Sequence, residues 1–269
     1  GIGIGGVLGG FMADVARPVT FQIMYLWESA SYLPALFLLL VPLRHVGNRV
    51  EHTHHSDPGK ISYLAVAKRP GVPALIVVNF LVAFVGYGQI NSGAAAYARL
   101  MGGVSTQGLG IAFAVNTGAI VLLQLVVLQR IEGIRRTRLV AVMSVIWALS
   151  WLLLASSALV PATLGATMLV AAFMGVFALG ETLMQPSLPA MVNGMAPDHL
   201  RGRYNGICSA AFNLASVLAP ISAGWLIDRD MSWLYIVSLL AGCALLVVFA
   251  LGRLEQQLTP QANGLKVAA

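Results

Sequence analysis

Two carboxylates, Glu28 and Glu181, stand inside stretches that otherwise carry almost no charge. Each needs a reason, because an unpaired charge in hydrocarbon costs about 2.5–3.5 kcal/mol. One reason is chemical: a carboxyl group that takes up and releases a proton can serve as a proton carrier. The other is structural, since Glu181 could instead cap a helix or pair with an arginine such as Arg201 or Arg203. Gln185 follows Glu181 by four residues and Phe177 precedes it by four, so a helix would put all three on one face. Uncharged polar residues extend the set. Asn79 and Asn116 lie in two further apolar runs, Asn79 sharing one helical face with Gly86 and Gly93, and Ser209, Asn213, Ser216 and Pro220 form a line at i, i+4, i+7 and i+11. Glu28, Asn79, Asn116, Glu181, Gln185, Ser209 and Asn213 are thus the candidates for a substrate or proton pathway. Hydrogen bonds between helices are the alternative use of the uncharged ones. Phe80, Phe84, Tyr87, Phe113, Trp147, Phe173, Met174 and Phe177 could add apolar contacts to a ligand.

These residues must be positioned by the apolar runs that carry them. Of 269 residues, 58% are hydrophobic and only 10% charged, with a mean hydropathy of +0.82. That is too little charge to cover a water-soluble globule, where about a quarter of residues are charged, and too much apolar surface for a disordered chain. A membrane-spanning helix needs about 20 apolar residues. Eight such runs are expected: a short one at 1–13, then 19–43, 72–98, 109–128, 139–159, 164–183, 206–227 and 233–251. The strict polar–apolar alternation of a membrane barrel is missing from them. The expected class is an all-α polytopic membrane protein.

The net charge of +6 and pI near 9.7 then read as topology and not as nucleic-acid binding. With the end before Gly1 on the cytoplasmic side, all 16 lysines and arginines but Arg17, Arg99 and Arg229 fall in cytoplasmic loops or in the tail. The C-terminus is expected on that same side, against anionic lipid headgroups. Tyr235, Trp225 and Trp233 read as anchors at the outer boundary. Cys208 and Cys243 both sit in apolar runs and form no C-x-x-C pair. The linker run from Glu51 to Asp57, with His52, His54 and His55, is dense enough in imidazole and carboxylate to hold zinc or nickel. Nothing else in the chain supplies a matching site, so a solvated linker is expected and no metal or other cofactor is assigned. H-E-x-x-H, G-x-S-x-G and phosphate-loop motifs are missing, which argues against an enzyme. The opening lacks the charged n-region of a secretory signal.

Three local patterns converge on one family. Gly1, Gly5, Gly9 and Gly10 fit the template G-x-x-x-G-P-x-x-G-G, with Gly6 in place of its proline. This resembles the fifth-helix antiporter motif of the major facilitator superfamily, whose small residues form a groove for a neighbouring helix. Glu132, Gly133, Arg135 and Arg136, within the segment from Arg130 to Arg138, resemble the second copy of that family's D-x-x-G-R-[RK] loop. In the family this loop acts as a conformational latch. The longest match runs from Gly180 to Asp228: it begins Gly180-Glu181-Thr182, passes Pro186-Ser187-Leu188-Pro189 and Leu200-Arg201-Gly202-Arg203-Tyr204-Asn205-Gly206, and includes Ala219-Pro220. It is similar to helices ten and eleven of drug-efflux members.

The resemblance implies helices five to twelve of a twelve-helix transporter. Residues 1–43 would be the last two helices of the N-terminal bundle, 44–70 a cytoplasmic linker, 71–252 a C-terminal six-helix bundle and 253–269 a cytoplasmic tail. Four helices, about 130–150 residues, would then precede Gly1, and residues 1–269 alone are not expected to transport. It further implies a monomer in the inner membrane that exports small amphipathic compounds in exchange for protons. A receptor or assembly subunit that binds without transporting is the first alternative, and an intramembrane enzyme the second.

Overall fold

The structure, a computed structural model, describes residues 17–40 and 61–265, together with Gly9 and Met12. Gly1, Gly5 and Gly10, the histidine-rich run and Lys266 lie outside the described residues. Every regular element among the described residues is helical. Helix α1 (Val19–Leu40) is followed by a short α2 (Tyr63–Ala67) and six long helices. These are α3 (Val72–Leu100), α4 (Thr106–Arg130), α5 (Arg136–Leu159), α6 (Leu164–Met195), α7 (Asp198–Ile227) and α8 (Ser232–Gln257). All six are long and apolar enough to cross a membrane. They coincide with the last six expected runs, and together they define an all-α polytopic membrane protein.

Local chemistry sets the helix starts. The side chains of Ser105 and Thr163 accept from the backbone N–H of Gly108 (3.1 Å) and Ala166 (3.2 Å), satisfying amides that a first turn leaves open. Pro73 lies in the first turn of α3, where its missing N–H is harmless. Gly71 before it has φ +84°, a conformation that a side chain resists. Helix α6 runs twelve residues beyond the expected end at 183, through Pro186 and Pro189. Pro usually signals a helix break; here the surrounding helices carry α6 past both. Glu181 therefore lies well inside the helix and not near its end.

Helix α3 departs most from regular geometry. Two π-helical turns, Ala83–Tyr87 and Gln89–Gly93, interrupt it. Each widens the helix locally and shifts the phase of the residues beyond, so the face expected to hold Asn79, Gly86 and Gly93 together is broken up. Asn79 donates back to Leu75 O within its own helix (2.8 Å), Gly86 meets Trp147, and Gly93 meets Gln89, Ala223 and Tyr235.

Small residues let α3 and α7 approach closely. A Cβ on Gly88 would stand 2.5 Å from that of Ala219, and one on Gly93 2.7 Å from that of Ala223. Such backbone proximity is a common device where lipid removes any hydrophobic drive between helices. Ala211, Ala215, Ala219 and Ala223 form the buried line of α7. Ser209 and Asn213 of the expected polar line are exposed, and Ser216 and Pro220 are half-buried. Gln89 ties this region together: its Nε2–H donates to Ala219 O (3.2 Å), and the Tyr235 hydroxyl donates to its Oε1 (3.1 Å). Tyr235 is thus a buried partner of α3, not a boundary anchor, whereas Trp225 and Trp233 are exposed as expected.

The sequence left the packing of the tail after Glu255 open. The tail folds onto the basic end of the bundle, where the α4–α5 and α6–α7 connections meet. Asn263, 3% exposed, accepts from Thr137 N (3.0 Å), and Arg136 Nη1 donates to Ala262 O (2.8 Å). Gly264, at φ +89°, turns the chain beside Ile134.

Candidate functional site

Midway along the helices, four polar side chains from three elements converge. Helix α6 supplies Glu181 and Gln185 one turn apart, α4 supplies Asn116, and the first π-helical turn of α3 supplies Tyr87. Asn116, buried, donates from Nδ2 to Glu181 Oε2 (3.2 Å) and to Met174 O (3.3 Å). The Tyr87 hydroxyl lies beside the Glu181 carboxyl and interacts with it electrostatically. Gln185 Nε2–H donates to that same hydroxyl (3.1 Å). Glu181 is half-buried and Gln185 exposed, so the cluster reaches the molecular surface.

Aromatic rings wall it. Tyr87 packs on Phe212 (5.9 Å between centroids) and edge-on against Trp147 (6.3 Å), which in turn stacks on Phe177 at 4.6 Å and 4°. Trp151 and Phe173 extend this cluster inward. Along α3, Phe84 precedes Tyr87 by three residues and borders an open apolar cleft of about 390 Å³ with Leu218, Ile221 and Trp225. Chemically, the arrangement offers a carboxyl whose partners here are all neutral, beside aromatic faces and an apolar groove. A neutral setting lets the carboxyl change protonation without breaking an ion pair, and the rings suit the apolar part of a ligand.

The sequence candidates divide accordingly. Asn116, Glu181 and Gln185 come together; Asn79 bonds within α3; Ser209 and Asn213 lie on the exposed face of α7. Arg201, offered as a partner for Glu181, pairs with Asp198 instead (2.9 Å). Glu28 sits exposed on α1, where none of residues 19–38 is buried. Tyr87 was legible only as an aromatic contact, because spacing within one helix does not reveal a partner on another.

The loop residues form a separate network. Gly133, at φ +78°, makes the turn after α4, and Glu132 and Gly133 are exposed. Arg135 pairs with Glu255, Arg138 approaches that carboxylate at 3.8 Å, and Thr137 Oγ1 donates to it (2.9 Å). Arg136 holds the tail. Gly9 is described, and a Cβ there would stand 3.1 Å from Met24 Cε. No cluster of three or more metal-ligating side chains occurs among the described residues.

A bundle of long apolar helices with a polar cluster at mid-length is the architecture of a polytopic helical membrane protein. Comparison with known proteins gives the family: the Major Facilitator Superfamily model matches residues 103–266, and the chain belongs to that superfamily. It is 25% identical over 235 residues to an uncharacterized MFS-type transporter, YttB, of Bacillus subtilis (strain 168), covering 85% of this chain and 55% of that protein. It is 26% identical over 92 residues to the multidrug transporter protein MdtP of the same organism, covering 34% of this chain and 17% of that protein. The chain thus spans little more than half the length of the first relative. No solved structure matches it.

Proposed function

We propose that the protein is part of a secondary active transporter that exports small amphipathic compounds in exchange for protons. Substrate and proton would meet at Glu181, Asn116, Tyr87 and Gln185, and Glu181 would carry the proton. One observation carries this reading: the mid-helix carboxyl has only neutral partners and reaches the surface beside an aromatic wall. In alternating access, a ligand moves the protein only if it binds the two states unequally. A carboxyl that binds a proton in one state and a substrate in the other meets that requirement. The apolar cleft at Phe84 suits the apolar part of the same compound. The superfamily membership and the name of one relative, a multidrug transporter, support the substrate class.

The topology proposed with it puts the basic end of the bundle, and so the C-terminus, on the cytoplasmic side of the inner membrane. The Lys/Arg asymmetry supports that orientation. Residues 71–252 act as the C-terminal half of the transporter and residues 1–43 as the end of the other half. The working unit is a monomer, and no enzymatic step is involved.

The test is gradient-driven uptake of ethidium into inverted membrane vesicles containing the native polypeptide. Uptake that needs an inward-acid gradient and collapses with a proton ionophore is expected. Binding of the dye without any flux would favour a receptor or assembly subunit and overturn the transport reading.

A further inference from the structure

Trp147 of α5 makes no hydrogen bond to the polar side chains of the cluster, yet the backbones that carry two of them, Tyr87 and Glu181, are built against it. The indole is fully buried and lies in a slot between two glycines on different helices. A Cβ on Gly180 of α6 would stand 2.5 Å from both its Cδ1 and Nε1, on the five-membered ring. One on Gly86 of α3 would stand 2.5 Å from Cη2, on the six-membered ring. The next residue after Gly180 is Glu181, and the next after Gly86 is Tyr87. The indole N–H donates to Phe177 O at 3.1 Å, one turn before Glu181. In an α-helix that carbonyl is also the acceptor for the Glu181 amide. The indole edge also meets the Tyr87 ring.

From this slot we infer that Trp147 is a positioning residue that sets the separation and facing of Tyr87 and Glu181, and thereby tunes substrate affinity. Glycine at 86 and 180 lets the ring enter far enough to hold both backbones at once. Trp151, one turn away, ties α3 in the same manner through its N–H to Val85 O (3.0 Å), so α5 holds both flanking helices by their carbonyls. The inference rests on the proposed role of the Glu181 cluster, and its test separates the two.

Ethidium transport by the native polypeptide in proteoliposomes is measured for Trp147→Phe, Gly180→Ala, their combination and Glu181→Gln, with KM and maximal rate obtained per folded molecule and melting temperature alongside. Phe keeps a ring on Phe177 but lacks the N–H and the atoms facing Gly180, so KM should rise about three- to tenfold, the size of one lost hydrogen bond. Gly180→Ala should raise KM by itself, and the double variant should return it toward wild type, because the smaller ring leaves room for the methyl. If Trp147→Phe fails to insert, Gly86→Ala tests the other wall of the slot. Transport lost or strongly slowed in Glu181→Gln with KM unchanged in the slot variants, whatever their melting temperatures, would make Trp147 a packing residue only. An unchanged KM and maximal rate in Glu181→Gln would overturn the site, and the positioning role with it.

Discussion

Two glutamates, Glu181 and Glu255, each sit at a meeting of helices, and their surroundings differ in kind. Glu255, at the basic end, faces the guanidinium groups of Arg135 and Arg138 and accepts from Thr137. Its negative charge is matched, and it ties α8 to the start of α5. Glu181, at mid-helix, accepts from Asn116 and lies beside the Tyr87 hydroxyl, neither of which carries a charge. A carboxylate held by cations is a fastening, because protonation would break the ion pair. One held by neutral donors keeps its partners in either protonation state. The contrast is in keeping with the chemistry proposed for Glu181 and with a structural role for Glu255.

Substitutions at the two glutamates should therefore part company. The largest effect is expected at Glu181: Glu181→Gln keeps the shape and the Asn116 contact yet should lower gradient-driven transport by about a hundredfold, the size of losing one acid–base group. Glu255→Gln should lower unfolding stability by roughly 1 kcal/mol and leave transport within about twofold, as read by thermal unfolding beside the dye assay. A transport loss at Glu255 equal to that at Glu181 would break the contrast.

Asn263→Ala sharpens it at the basic end. It leaves the buried Thr137 amide and hydroxyl short of a partner, so a stability loss of about 1–2 kcal/mol is expected, again by unfolding. A smaller change is expected for Ser144→Ala, which removes a hydroxyl donated to Cys243 O at 2.7 Å between α5 and α8. Interhelical hydrogen bonds of this kind average about 0.6 kcal/mol in membranes. Smallest is Arg138→Ala: its side chain is 63% exposed and 3.8 Å from Glu255, so roughly 0–0.5 kcal/mol is expected.

Much of the fold was legible because a run of apolar residues long enough to span hydrocarbon has few other uses. The six helices from Val72 onward follow from that, as does the family, which the loop around Gly133 and the stretch from Gly180 suggest. What escaped the sequence was what depends on neighbours. The apolar run ended at 183, but α6 stays helical through Pro186 and Pro189 to Met195. The π-helical turns of α3 break the 3.6-residue period on which the face of Asn79, Gly86 and Gly93 was argued. Tyr235 looked like a boundary anchor until Gln89, 146 residues away, supplied a buried partner. The docked tail carried only a weak signal, an Asn-Gly pair at 263–264 suited to a turn.

The same division holds within the candidate site. Glu181, Asn116 and Gln185 stood out as polar residues in apolar runs. That Asn116 meets Glu181 across 65 positions, or that Tyr87 joins them, follows only from helix packing. Trp147 between Gly86 and Gly180 is the furthest from the sequence, because a glycine announces a close approach without naming what approaches.

The most direct test of the account compares wild type and Glu181→Gln, as native polypeptides in inverted vesicles, for ethidium uptake driven by an imposed proton gradient. The account predicts gradient-dependent accumulation in wild type and none above background in Glu181→Gln, with equal protein and equal melting temperature. Accumulation by Glu181→Gln at the wild-type rate would contradict it.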